Sequence, residues 1–554
     1  MRRSAAVLLL LAPLGFLALV FYEPLFLVLR TGLTQAGRFS LSAVRAILAD
    51  PYYRHVIGFT LEQAAVSTAL SLAIGLPGAY LLTRYRFPGR RAIRSLTVVP
   101  FVLPAITVAL GFILFFGNNG HLNRLLMNVF GLAAPPLRIL YSLSGIVLAH
   151  AFYNAPIVTR IVNAAWEGLD PAIDEAAITL GAGRVRRFLG VTLPRLAPAL
   201  LSSAALVFIF TFLSFPIVLS LGGARYATIE VGIYTLTRTL LDYRLGSALI
   251  LVETALSLGL AYLYLQAEGR AAVRARGERN PRAVPFFAGG LSLGKVLLVG
   301  YVLFAGVFFL GPVVSILADS FRGGAGVTLQ NYAQLVSLSY SPFLGSSPLR
   351  TVANSLIIGS GATLIALPVG AAVAVFSVRS RVVGRRLLEA LLMAPLAVSS
   401  VAVGYALLRG FAGPPLRLSG TLLAIVLAHA VLIYPFVVRA LRPALEGLDP
   451  ALVEAARSLG VSRARAFLEV ELPLLGRGIL VAAVFAFALS MGEMSATIML
   501  ARPGLTTIPL AVYGLLSARQ FGAASAMAVV LIAVAGIAFL AIDRLGRQRG
   551  GFGW

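Results

Sequence analysis

The sequence predicts an all-α integral membrane protein of about 12 transmembrane helices, arranged as two parallel repeats of six. Three observations carry this reading. First, the 554 residues are 59% hydrophobic and only 12% charged, with a mean hydropathy of +0.91, against about 25% charged in soluble domains. Second, two polar stretches between long apolar runs match each other: Glu175–Pro194, EAAITLGAGRVRRFLGVTLP, and Glu454–Pro473, EAARSLGVSRARAFLEVELP. The match extends without a gap at an offset of 279 residues, pairing Ile146–Ala151 with Ile425–Ala430, Pro156 with Pro435, Arg160 with Arg439, and Glu167–Ala172 with Glu446–Ala451. A gapless correspondence of this length marks a tandem duplication. Third, the Arg residues cluster in alternate loops between the apolar runs, which is topological information.

Taken in order, the runs long enough to cross the bilayer are 5–29, 57–83, 95–117, 143–163, 197–221, 245–266, 291–318, 352–378, 387–408, 419–438, 478–500 and 523–542. The opening Met-Arg-Arg and its apolar run read as an uncleaved first span, because no small-residue cleavage site follows. With the N-terminus inside, the inner loops hold most of the Arg, notably Arg84, Arg86, Arg90, Arg91 and Arg94, and again Arg379, Arg381, Arg385 and Arg386. Both polar stretches and both termini are then expected on the cytoplasmic side of the membrane. The expected organisation is a first half over 1–266, a flexible linker over 267–290 rich in Arg, Glu, Pro and Gly, and a second half over 291–554. The duplicated loops, 167–195 and 446–474, fall between the fourth and fifth spans of each half, so the repeats are parallel.

The formal charge of +25 would suggest a nucleic-acid partner in a soluble protein, but here the Arg lie in short loops between spans, and no nucleic-acid binding is expected. Cysteine is absent, which excludes disulfides, thiol catalysis and Cys-ligated zinc. His55 and His121 have no companions at metal-ligand spacing, so no metal site is expected.

Each duplicated loop carries its own conformational instructions. Asp170 then Pro171 is a helix start, Asp capping free N–H groups and Pro suiting the first helical position. The helix should run to Leu180 and end at Gly181, where left-handed geometry is tolerated. A second short helix through Val185–Leu189 should stop before Pro194. The second copy repeats this with Asp449, Pro450, Gly460, a cap at Ser462, and Pro473. The expected product is a rigid two-helix knob. Its Ala176-Ala177 and Ala455-Ala456 faces would admit a close partner, and Glu175 and Glu454 would be held by that partner's donors.

The spacing Glu-Ala-Ala, three residues, Gly, nine residues, aliphatic, any, Leu-Pro resembles the EAA loop of permease subunits of bacterial binding-protein-dependent ABC importers. Val191 and Val470 stand where that pattern usually has Ile. The resemblance covers both halves and implies the type I importer permease fold. It implies that Glu175, Ala176, Ala177, Gly181 and Pro194, with Glu454, Ala455, Ala456, Gly460 and Pro473, couple the chain to two copies of a cytoplasmic ABC ATPase. ATP and Mg would be bound by that partner, with no cofactor in this chain, and an extracytoplasmic solute-binding protein would deliver the substrate. Pro51–Ala64, Arg86–Arg91 and Ser220–Leu236 resemble the fused, double-length permeases of the thiamine and ferric-iron group, which implies one of those substrates; another small cationic or anionic solute stays open. Such a chain is a transport subunit and not an enzyme.

Gly289–Val296, GGLSLGKV, approaches a phosphate-binding loop, but Val296 replaces the Ser or Thr that magnesium needs and no strand precedes it. Lys295 is the only Lys, so energy must come from a partner. His150 and His429 are equivalent positions in the fourth span of each half and read as helix-packing hydrogen bonders. Glu62, Glu253 and Glu493 lie in or near spans, where an ionisable group is costly. Glu493 has Ser214 as its counterpart, so these two are the candidate substrate-pathway positions, with helix capping beside Gly492 as the rival role. Pro77, Pro100, Pro104, Pro368 and Pro395 are expected to break spans. Two other classes compete: an ion-coupled secondary transporter, for which the membrane offers few acids, and a membrane enzyme, for which no clustered His, Asp or Glu constellation exists.

Overall fold

The computed structural model describes residues 3–90, 93–94, 103–223, 225–274, 284–286, 292–323, 326–380 and 382–547. The chain is predominantly helical, and among the described residues β-structure is confined to three two-stranded sheets of two-residue strands and an isolated bridge between Ser341 and Ser346. Among the described residues, eleven helices are long and apolar enough to cross a membrane. They form two compact units, residues 44–232 with 251–322, and residues 1–43 with 233–250 and 323–554.

In the unit holding residues 44–232, helix Pro51–Arg84 starts at Asp50, whose carboxylate accepts from the Tyr52 N–H at 2.8 Å. It lies along Leu143–Glu167, with Leu193–Phe212 against both. Gly75 permits that approach: a Cβ there would stand 2.7 Å from Val158 Cβ and 2.8 Å from the Ala155 carbonyl. Thr159 Oγ1 donates across the seam to the Gly75 carbonyl at 3.0 Å. Ala79, Val158, Val162, Leu196 and Val207 fill the core between the three helices. Span Leu293–Ser320 packs on Ala105–Phe116 through Phe308, whose ring meets Phe112 at 6.2 Å and Phe152 at 6.0 Å.

The second unit repeats this seam. Helix Pro348–Arg379 lies along Leu422–Glu446 with Leu472–Gly492 against both, and a Cβ on Gly370 would stand 2.7 Å from Val437 Cβ and 2.9 Å from the Tyr434 carbonyl. The opening helices Arg3–Leu17 and Glu23–Leu33 pack here, against Pro348–Arg379 and Ser400–Gly410. Gly410 leaves room for Pro24, which a Cβ would meet at 2.8 Å. The compact units therefore differ from the sequence repeats in one respect: the first span of each repeat packs in the unit that holds the body of the other.

Three expectations change. The run 387–408 is not one span but Arg385–Leu392, a 3-10 turn at Ala394–Ala397, and Ser400–Gly410. Pro395 supplies no N–H, and the carbonyls freed at the break are taken by hydroxyls: Tyr22 donates to Leu391 O at 2.7 Å and Tyr434 to Leu392 O. Pro77 and Pro368, by contrast, sit inside unbroken helices of 34 and 32 residues, where one missing bond is tolerated. Pro104 stands just before Ala105–Phe116, and Pro100 lies outside the described residues. Finally, part of the linker is structured. The sixth span continues as helix to Arg274, since Gln, Ala, Glu and Arg are good helix formers. Val284–Pro285 pairs in parallel with Tyr85–Arg86, and the Phe286 ring stands 5.1 Å from that of Tyr85.

The Gly370 seam makes a testable demand. Gly370→Val should overpack it and cost about 1–3 kcal/mol, read as a lower melting temperature in detergent. Gly476→Val, on a helix of the same unit with nothing within 4 Å of its Cβ position, should leave the melt nearly unchanged.

Candidate functional site

The duplicated loops fold as knobs. In the first, Asp170 Oδ1 accepts from the Ala172 N–H at 2.9 Å and opens helix Pro171–Thr179. The chain turns at Gly181, φ +75°, where Ala182 N–H returns to the Ala177 carbonyl at 3.0 Å. In the second, Asp449 Oδ1 accepts from the Ala451 N–H at 2.9 Å, helix Pro450–Ser458 follows, and Gly460 has φ +83° with Val461 N–H on the Ala456 carbonyl at 3.2 Å. This is the two-bond closure of a Schellman-type helix end, which needs the left-handed residue. Ser462 Oγ accepts from Arg465 N–H at 3.3 Å, as a cap does; the first copy has Gly183 there.

The second helix of each knob does not stop before its proline. Arg184–Arg187 runs through a π turn at Phe188–Thr192 directly into Leu193–Phe212, and Arg463–Ala466 runs through Phe467–Glu471 into Leu472–Gly492. A wide i→i+5 turn re-registers the backbone where Pro194 and Pro473 cannot donate, so each knob is one piece with the span behind it.

Glu175 and Glu454 are exposed, as are Ala176, Ala455, Pro194 and Pro473. Ala177 is buried and Ala456 half-buried, so the expected Ala-Ala face divides, one Ala outward and the next inward. Sequence reasoning passed over Leu180 and Leu459, which are 87% and 85% exposed at the elbows. The available signal was an apolar residue directly before the elbow Gly in both copies.

The electrostatics are not duplicated. Asp174 meets Arg187 at 2.8 Å within the first knob, where the second has Val453 and Ala466. The second knob is tied to its unit by buried Glu471, 2.5 Å from Arg379 at the end of helix Pro348–Arg379. On its surface, Glu469 hydrogen-bonds Arg465 at 2.7 Å and pushes that guanidinium further above its ordinary pKa. The first loop is tied at its start, Glu167 accepting from Arg90 and Arg94 at 3.2 Å each.

With this geometry in place, comparison with known proteins decides the family. The family described as "Binding-protein-dependent transport system inner membrane component" matches residues 71–267 and again 366–549. The chain belongs to this family. The permease is 30% identical over 475 residues to a putative ferric transport system permease protein of Haemophilus influenzae, covering 83% of this chain and 72% of that one. It is 29% identical over 513 residues to a thiamine transport system permease protein of Brucella abortus, covering 90% and 89%. A putative 2-aminoethylphosphonate transport system permease protein of Salmonella typhi is 33% identical over 268 residues, 48% of this chain and 93% of that one. A bacterial alginate ABC transporter structure aligns at TM-score 0.40 and 18% identity over 48% of this chain and 93% of that one, too weak a likeness to add to the assignment. The permease is thus a double-length, multi-pass inner-membrane transport protein.

Inside the permease, the fifth and eleventh runs, read as single spans 197–221 and 478–500, are each broken. The breaks fall between Phe212 and Pro216 and between Gly492 and Ser495. Ser214 and Glu493 occupy these equivalent breaks. His150 joins Ser67 at 3.0 Å and Ser214 at 2.8 Å; His429 joins Ser490 at 2.7 Å and Thr497 at 2.8 Å. Both His are packing hydrogen bonders. Glu493 is half-buried and its Oε1 accepts from the Ala496 N–H at 2.8 Å, capping helix Ser495–Leu500. Glu253 is buried, whereas Glu62 is exposed on helix Pro51–Arg84. Lys295 belongs to a helix start: Ser292 Oγ accepts from the Lys295 N–H at 3.4 Å and opens span Leu293–Ser320; residues 289–291 lie outside the described residues.

The Arg379–Glu471 pair predicts a double-mutant signature. Arg379→Met should cost about 2–3 kcal/mol, below the ~3–5 of a fully buried pair because a third of the Arg379 side chain is exposed. Adding Glu471→Leu should recover much of that loss in thermal melts.

Proposed function

We propose that the chain is the translocating permease of an ATP-driven importer, accepting a small solute from an extracytoplasmic binding protein and releasing it to the cytoplasm. The reading is carried by the two knobs, each rigidly continuous with a span and each presenting an exposed Leu at its elbow. Exposed apolar tips beside an exposed Glu suit a groove in a separate protein. Two copies of a cytoplasmic ABC ATPase, holding ATP and Mg, would seat them, one on Glu175, Ala176, Leu180 and Gly181, the other on Glu454, Ala455, Leu459 and Gly460. Ala177, Ala456, Pro194 and Pro473 would shape each knob from within. ATP binding, transmitted through the knobs, would shift the permease from inward-open to outward-open, because the ATPase pair binds one state better. Both termini would be cytoplasmic.

Relatives named for ferric and for thiamine transport support one of these as substrate. Ser214 and Glu493, at the broken spans, are the proposed pathway positions. Their present hydrogen bonds give them a structural role, and Glu493→Gln separates the two: a cap needs only an acceptor and survives, while a cation contact does not.

Glu454→Lys, Gly460→Pro and the pair Leu180→Asp/Leu459→Asp should each lower uptake by about tenfold or more, the effect of losing ~1.4 kcal/mol at an interface, with membrane insertion retained. Uptake in vesicles and co-purification of the ATPase are the measurements; if both survive all three changes, the coupling role is wrong. Glu493→Gln should leave the melting temperature within about 1–2 °C, and a fall in uptake would then assign it to the pathway.

A further inference from the structure

The short helix Arg385–Leu392 has a face that the importer reading leaves unused. It begins a few residues after Arg379, the end of a 32-residue span, so it lies at the membrane surface. Its far end is fixed by the Tyr22 and Tyr434 hydroxyls on the Leu391 and Leu392 carbonyls. With that anchor, Leu392 is buried while Val383, Leu387 and Leu391 are 85%, 69% and 45% exposed. Beside them, Val382, Gly384, Arg385, Arg386 and Glu389 line a surface cavity of about 550 Å³.

Comparison of the repeats isolates the charge. The equivalent helices Pro51–Arg84 and Pro348–Arg379 are followed, at the same distance from their ends, by Gly89-Arg90-Arg91 and Gly384-Arg385-Arg386, with left-handed glycines at φ +85° and +81°. In the first repeat Arg90 and Arg94 are both spent on Glu167. In the second, Glu389 replaces Arg94, and Glu446, the counterpart of Glu167, is held by Arg442 at 2.8 Å. Arg385 is held locally, by Glu389 of its own helix at 2.9 Å and by the Ser380 carbonyl, at the end of the preceding span, at 3.1 Å. Arg386 is left exposed at the rim.

We propose that this surface binds an anionic phospholipid, its phosphate at Arg386 on the rim of the cavity and its acyl chain along Val383, Leu387 and Leu391. The combination decides for lipid over a soluble anion: a phosphate alone uses the guanidinium group and leaves three large apolar side chains in water, whereas an interfacial lipid covers both. The proposal needs the membrane placement of this helix and is independent of the ATPase contact.

The cysteine-free chain makes the test direct. Full-length Leu387→Cys carrying an environment-sensitive fluorophore is placed in nanodiscs of phosphatidylcholine with or without phosphatidylglycerol. Native mass spectrometry in parallel titrates phosphatidylglycerol on wild type, Arg386→Gln and, as a charge-matched control, Arg442→Gln. The label should be quenched by lipid-borne nitroxides and not by iodide. Arg386→Gln should weaken phosphatidylglycerol binding about fivefold, the effect of one interfacial Arg, with Arg442→Gln unchanged. A label quenched by iodide in both nanodiscs overturns the proposal, as does equal lipid retention by all three proteins. Displacement of phosphatidylglycerol by millimolar inorganic phosphate would make it a soluble-anion site, and protection only on adding the ATPase would make it a protein contact; either result also overturns it.

Discussion

Inside a bilayer every backbone N–H and C=O must find a partner within the protein, and this constraint organises the chain. Where a span is continuous the helix supplies the bonds. Where it is broken, side chains must. At the break after Phe212, Gln63 donates to the Thr211 carbonyl at 2.8 Å. After Gly492, Thr497 donates to the Glu493 carbonyl and the Glu493 carboxylate takes the Ala496 N–H. After Leu392, Tyr22 and Tyr434 take the freed carbonyls.

The same constraint separates what duplication preserved from what it released. Backbone geometry is preserved: the Gly75 and Gly370 seams, the Gly181 and Gly460 elbows, and the π turns at Phe188–Thr192 and Phe467–Glu471 recur in both copies. Side-chain pairing is not. His150 binds Ser67 and Ser214, while His429 binds Ser490 and Thr497. One loop is tied through Glu167 and the other through Glu471. A seam of close-packed backbone admits few alternatives, whereas a hydrogen bond can be satisfied from several directions.

Local signals in the sequence were legible for the same reason. Asp-Pro starts, elbow glycines and the Ser462 cap act within one or two turns, and all were found where expected. The packing role of His150 and His429 was legible in their duplication beside small residues in a span. What was missed depends on irregular backbone or on distant partners. Pro194 reads as a stop only if the π turn before it is unknown. Pro77 and Pro395 look alike in sequence, and hydroxyls meet nearby carbonyls at both, from Thr159 and Tyr301 at the first and from Tyr22 and Tyr434 at the second, yet only the second helix is interrupted, so the proline alone does not set the break. Leu180 and Leu459 read as ordinary helix-end residues until the fold leaves them exposed. The docking of Val284–Phe286 onto Tyr85–Arg86 is likewise invisible in a stretch whose composition resembles a free linker.

The account turns on the knobs being the points where an ATPase grips the permease. Cysteine scanning tests this directly in a chain with no native cysteine: Leu180→Cys and Leu459→Cys, each paired with cysteines along the groove of the co-expressed ATPase, are oxidised in membranes with and without ATP. The account predicts a disulfide-linked permease–ATPase product at both positions, its yield shifting with nucleotide. Cross-linking at neither position, with cysteines elsewhere on the permease surface linking efficiently, would contradict it.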